Sequence, residues 1–135
     1  MKKFLFLLLL FPVIGTSQNT LNITIEGVKT SNGNVSVAVY NQENGFLKFD
    51  KAYKSDSTLA KKGKTKIRIE DLPEGEYALA IFHDANNNHI LDVNWLGIPK
   101  EAIGFSKAKM KAFGPPTYGE CTFKITSDHN INVVL

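Results

Sequence analysis

The stretch Ile67-Arg68-Ile69-Glu70-Asp71-Leu72-Pro73-Glu74-Gly75-Glu76-Tyr77-Ala78-Leu79-Ala80-Ile81-Phe82 decides the fold class. Thr65 to Leu72 alternates apolar with polar residues, the period of a half-buried strand. Asp71 to Glu76 is a tight turn, because Pro73 fixes its own φ and Gly75 tolerates the reversal. Tyr77 to Phe82 is the most continuous apolar run after the N-terminal segment, as expected of a central strand.

Working outward, Leu21 to Val28 also alternates and predicts a strand. Ser31-Asn32-Gly33-Asn34 carries an Asn-Gly hairpin signal. Val35 to Tyr40 follows as its returning partner, so the first two strands are expected to form a hairpin. Lys51 to Ser57 reads as a short strand or a helical turn. Residues 84–118 form a long segment interrupted by Gly97, Pro99, Gly104, Gly114, Pro115 and Pro116, with a helical turn expected over Lys107 to Phe113. Thr122–Thr126 and Ile131–Leu135 are expected to close the domain as a second hairpin. About seven short strands without a long helix predict an all-β, antiparallel β-sandwich with one long irregular loop.

The N-terminus has a separate reading. Met1-Lys2-Lys3 is a positive n-region, and Phe4 to Ile14 is an apolar run broken only by Pro12. Small residues follow at Gly15-Thr16-Ser17. Residues 1–17 thus have the pattern of a cleaved secretory signal, leaving a domain of residues 18–135 in the periplasm or outside the cell. The run of 11 apolar positions is short of the ~20 residues that a spanning helix needs, so no stable membrane insertion is expected after cleavage. The only cysteine, Cys121, precludes an internal disulfide and reads as a buried, inert thiol.

Loss of Lys2 and Lys3 would leave 14 basic against 13 acidic side chains. That near-neutral balance predicts no strong field for nucleic acid or an anionic membrane. The run Lys62, Lys64, Lys66, Arg68 has period two and is the solvated face of a strand.

The segment His83 to Asp92 places Asp84, Asn86, Asn88 and Asp92 at D-x-N-x-N-x-x-x-D spacing. Three alternate side chains, the Ile90 carbonyl and Asp92 could converge on one calcium ion. His89 stands in the place of the turn glycine, and Trp95 where a closing glutamate would be. Affinity should therefore be weak, on the order of 10⁻⁴ to 10⁻³ M, unless a remote carboxylate such as Glu101 completes the shell. The competing reading is a series of Asx turns with no ion. His83, His89 and His129 lack the spacing of a zinc centre.

The aromatics Phe46, Trp95, Phe105, Phe113 and Tyr118 lie mostly in loops. With His83 and Glu101 they outline a candidate ligand-binding surface for a saccharide, peptide or protein. The alternative is a minicore that pins the long segment onto the sandwich. No nucleophile elbow, phosphate loop or dinucleotide fingerprint is present. The expected role is a non-catalytic binding or accessory module. Two alternatives are a small hydrolase or lyase using Asp84, Asp92 or Glu101 with His83, and a structural subunit pairing through a sheet edge.

Two resemblances add to this. The Leu72-Pro73-Glu74-Gly75-Glu76-Tyr77 turn between strands resembles the "L-P-x-G-x-Y" signature of prealbumin-like sandwiches, including carboxypeptidase regulatory-like domains, and implies that topology. Tyr40-Asn41 with Gly45-Phe46, Phe82-His83-Asp84 through Asp92, Leu96 to Glu101, Gly104-Phe105-Ser106 and Phe113 to Pro116 together resemble domain-of-unknown-function family 2141. That likeness implies a small exported β-domain and brings no established activity. Its pattern carries glycine at the His89 position, which implies a positive φ there.

Overall fold

The computed structural model describes residues 18–135 together with Pro12 and Gly15. The remainder of the expected export signal lies outside the described residues. The elements are β1 (Gln18–Val28), β2 (Asn34–Tyr40), a 3-10 turn (Phe49–Lys51), β3 (Lys54–Leu59), β4 (Gly63–Pro73), β5 (Gly75–Asp84), β6 (Ile103–Phe105), α1 (Tyr118–Cys121), β7 (Phe123–Ile125) and β8 (His129–Val134). The described residues thus form eight strands, one more than the sequence suggested. The short helix lies at 118–121, beyond the expected 107–113.

The strands make two sheets, one ordered β4-β1-β8 and the other β3-β2-β5-β6. β7 pairs with Gly75–Tyr77 at the start of β5. β1 and β8 run parallel, an exception to the antiparallel expectation. Neither expected hairpin forms. β1 pairs with β4 and β8, whereas β2 pairs with β3 and β5. The reason is that alternation specifies which side chains turn inward, not which strand lies alongside. The Asn32-Gly33 turn carries the chain from one sheet to the other. Gly33 has φ +67°, and a Cβ there would stand 2.0 Å from the Asp84 carbonyl oxygen. Only glycine fits that crossing.

One core joins the sheets. Leu21, Ile23 and Ile25 of β1 with Ile67 and Ile69 of β4 share a cluster with Val35, Val37 and Val39 of β2 and Leu79 and Ile81 of β5. Each such side chain, fully buried, contributes roughly 1.5–3 kcal/mol. The core residues named here all lie within residues 18–135, the chain that the expected export cleavage would leave. The Leu-Pro-x-Gly-x-Tyr turn passes the chain from β4 in one sheet to β5 in the other. Tyr77 secures it by donating its hydroxyl to the Pro73 carbonyl at 2.6 Å.

β5 is buried on both faces from Tyr77 onward. Its odd positions enter the main core. Ala78 and Ala80, with Ala38 and Tyr40 of β2, form a second apolar cluster with Phe105 and Cys121. Phe46, Leu47, Ile103 and Tyr118 pack against it. Alanines leave room for this covering chain, so the long segment sits directly on the sheet. On the opposite side of the molecule Lys64, Lys66 and Arg68 face solvent, with Lys64–Glu26 at 3.6 Å and Arg68–Glu70 at 3.3 Å.

Candidate functional site

β5 ends at Asp84, and the chain then folds through a hydrogen-bonded loop. The buried Asp84 carboxylate accepts the N–H groups of Asn88 at 3.1 Å and His89 at 2.8 Å. Asn86 Oδ1 accepts the Asn88 N–H at 3.3 Å, and Asn88 Oδ1 accepts the Ile90 N–H at 3.1 Å. These are successive Asx turns. With their oxygens so committed, the two amides present Nδ2 to Asp92, donating at 2.6 Å from Asn86 and 2.8 Å from Asn88. His89 has φ +64° and Asn87 +55°, the left-handed conformation expected at the glycine-like position.

Asp84, Asn86, Asn88 and Asp92 are therefore brought together, with the Ile90 backbone tied in through its N–H. Glu101 joins them, since its Oε2 accepts the Asp92 N–H at 3.2 Å. Burial raises the Glu101 carboxyl above the usual range, and the charges of Asp92 and Asp84 add to that rise. Among the described residues no three His, Cys, Asp or Glu side chains converge closely enough to hold a metal ion. The asparagine Oδ1 atoms and Asp84 each keep a second lone pair, so a cation here would need the Asp92 side of the loop to turn.

His83 is buried, and its Nε2 lies 2.7 Å from the Asn32 carbonyl oxygen. Consecutive residues of β5 project to opposite faces, so His83 points away from Asp84. The arrangement does not join the imidazole to the loop carboxylates.

The five loop aromatics divide into two groups. Phe46 contacts Tyr40 and Tyr118 edge to face, with centroids 5.2 and 5.6 Å away. Phe105 is buried beneath them, so Phe46, Phe105 and Tyr118 belong to the minicore. Trp95 and Phe113 are 90% and 104% exposed. Each stands on a tight loop closed by an isolated bridge, Val93–Pro99 for Trp95 and Lys111–Gly114 for Phe113. Asn94 stiffens the first loop, its Oδ1 accepting the N–H groups of Leu96 at 2.9 Å and Ile98 at 3.0 Å. The second is tethered to α1 by Lys111–Glu120 at 2.6 Å.

Between these loops lies an apolar cleft of about 470 Å³. Ala80, Ile103 and Phe105 form its floor. Phe49, Val93, Leu96, Ile98, Met110 and Phe113 wall it, and all six are substantially exposed. Of these six, the sequence reading places only Phe113 on the candidate binding surface. The available signal was the recurrence of large apolar residues inside a Gly/Pro-rich segment, where an irregular loop ordinarily carries polar ones.

A family model described as "Uncharacterized protein conserved in bacteria (DUF2141)" matches residues 23–133. Neither the curated proteins nor the solved structures give a match.

Proposed function

This chain belongs to that family of uncharacterized bacterial proteins, and we propose that it is an exported, non-catalytic binding module. One observation carries the reading: large exposed apolar side chains from separate loops gather round a single cleft on the covered face of the β5 sheet. Soluble domains seldom expose contiguous apolar surface without a use for it. The cleft is apolar with few polar groups, which suits capture rather than chemistry. The separation of His83 from the loop carboxylates argues the same way.

The prealbumin-like reading is supported by two sheets sharing one core and by the Leu-Pro-x-Gly-x-Tyr turn that passes between them. Export rests on the N-terminal sequence pattern. Pairing through a sheet edge is disfavoured at β3, where Lys54 and Asp56 place charges on the outer strand.

The test is titration of residues 18–135 with Nile red, an uncharged apolar dye. Saturable binding by the folded protein, weakened by Ile98→Ser, is expected. Binding that persists unchanged in Ile98→Ser would sink the cleft as the site.

A second reading, weak stabilisation by calcium, is supported by the hydrogen bonds that gather Asp84, Asn86, Asn88, Asp92 and Glu101 in one loop. Thermal unfolding in millimolar calcium against EDTA checks it, with magnesium as control. A selective rise in melting temperature supports an ion. An unchanged temperature leaves the Asx turns self-sufficient.

A further inference from the structure

We infer that the Trp95 and Phe113 loop tips form a docking surface for an anionic lipid bilayer, with the aromatics entering the boundary between headgroups and acyl chains. This rests on the binding-module reading and names its partner.

The first ground is shape. Both aromatics stand at the ends of short bridge-closed loops, almost wholly in solvent, rather than inside the cleft they border. A small molecule filling the 470 Å³ cleft would leave Trp95 outside it, since Trp95 does not line the wall. Both loops contribute residues to the cleft wall, so a broad partner that covers the cleft mouth meets both loops. A bilayer does so, and amphipathic aromatic rings favour its interface. Leu96, Ile98 and Met110 lie beside the tips and extend the same apolar surface.

Charge supplies the second ground. Residues 46–52 and 93–117, which build the two loops and the cleft, hold Lys48, Lys51, Lys100, Lys107, Lys109 and Lys111 against only Asp50 and Glu101. All six lysines are exposed, and among the described residues Lys111 is the one of them paired to an acid, Glu120. The rest of residues 18–135 holds eight basic against eleven acidic side chains. The near-neutral total therefore conceals a local excess of lysine in the segments that carry the apolar tips. Lysine stems can lie along an apolar surface while their ammonium groups reach phosphate oxygens.

Other occupants fit less well. A second copy would set one lysine-rich pair of segments against another. A saccharide needs free polar groups beside the rings, but the Asn94 side-chain oxygen is already occupied by two backbone N–H groups.

The experiment uses residues 18–135 with vesicles of phosphatidylglycerol mixed into phosphatidylcholine, and of phosphatidylcholine alone. Trp95 is the sole tryptophan, so its emission reports the tip directly. A blue shift and co-sedimentation with the anionic vesicles are expected, both weakened by salt. Phe113→Ser should lower the partition coefficient roughly tenfold. Lys107→Gln with Lys109→Gln should lower it on the order of 30-fold. Both variants alter exposed side chains, and an unchanged denaturation midpoint verifies folding. Absence of binding to anionic vesicles overturns the inference, as does binding that ignores Phe113→Ser. A blue shift accompanied by dimer formation without lipid assigns the surface to a second copy and also overturns it. Nile red is titrated into the same samples. Dye binding without vesicle binding removes the lipid and keeps the cleft, whereas loss of both removes the binding-module reading as well.

Discussion

The Ser106 hydroxyl donates to the carbonyl oxygen of Cys121 at 2.6 Å while accepting the N–H of Leu79 at 2.8 Å. Ser106 is fully buried, so this single oxygen links β5 to α1 across the minicore. Ser106→Ala would leave a buried N–H and a buried C=O unpaired. A loss of about 1–3 kcal/mol in urea denaturation is expected. A cost near zero would mean that water replaces the hydroxyl.

Gly33 bears on Asp84 as Ser106 bears on Cys121. A methyl group at Gly33 would meet the Asp84 carbonyl oxygen at 2.0 Å and the Ala85 backbone at 2.9 Å, at a φ that side chains resist. Gly33→Ala should destabilise the fold by at least about 2 kcal/mol, because the opposing atoms are backbone and cannot swing aside. Equilibrium denaturation measures the effect. Parent-like stability would show that the crossing between sheets is adjustable.

That crossing also shows where sequence reading stops. The apolar run of β5 and the alternation of β1 and β4 were legible because burial is written in periodicity. The assignment of β1 and β2 to different sheets was not, since an Asn-Gly turn reverses the chain equally well within a sheet or between two. The parallel β1–β8 pairing left no local mark, because its register is fixed by side chains more than a hundred residues apart. At the site, Asp84, Asn86, Asn88 and Asp92 could be grouped from spacing alone. Whether their oxygens turn to backbone N–H groups or to a shared ion is a matter of orientation, which spacing does not encode. Phe105 and Phe113 looked alike in sequence. The first lies on a strand against the sheet, and the second tips a two-residue turn in solvent.

Tyr40 carries an unusual cost. Its hydroxyl is buried with no hydrogen-bond partner among the described residues. Burial pushes its pKa up to about 12, and the Asp50 charge adds to the rise. Tyr40→Phe keeps the ring contact with Phe46 and removes the unpaired group. Stability should stay level or rise by about 1 kcal/mol. A clear loss in chemical denaturation would indicate a water-mediated bond at that hydroxyl.

Glu101 gives the loop a pH dependence whose sign is fixed. Burial, then the charges of Asp92 and Asp84, hold its carboxyl above the ordinary value of 4.5 in the folded protein. Folding therefore favours the protonated acid. The stability this adds is present below pH 4.5 and is lost as pH rises through the folded-state value. Glu101→Gln retains an oxygen for the Asp92 N–H and removes the charge. The variant should be more stable than the parent near neutral pH, and the difference should close at about pH 4. Denaturation midpoints across that range decide it, and a variant less stable at neutral pH would contradict the carboxylate crowding.

Trp95 and Phe105 separate the exposed half of the aromatic set from the structural half. Phe105→Ala removes a ring buried at the base of the cleft and should cost about 3–5 kcal/mol. Trp95→Ser and Phe113→Ser together remove two rings that touch mainly water, and should change stability by no more than about 0.5 kcal/mol. In the parent protein, acrylamide should quench Trp95 as freely as a solvent-bathed indole. Strong protection without any added ligand would show that the tip folds back onto the cleft. A large stability loss in the double variant would return both rings to the minicore and leave the surface without its anchors.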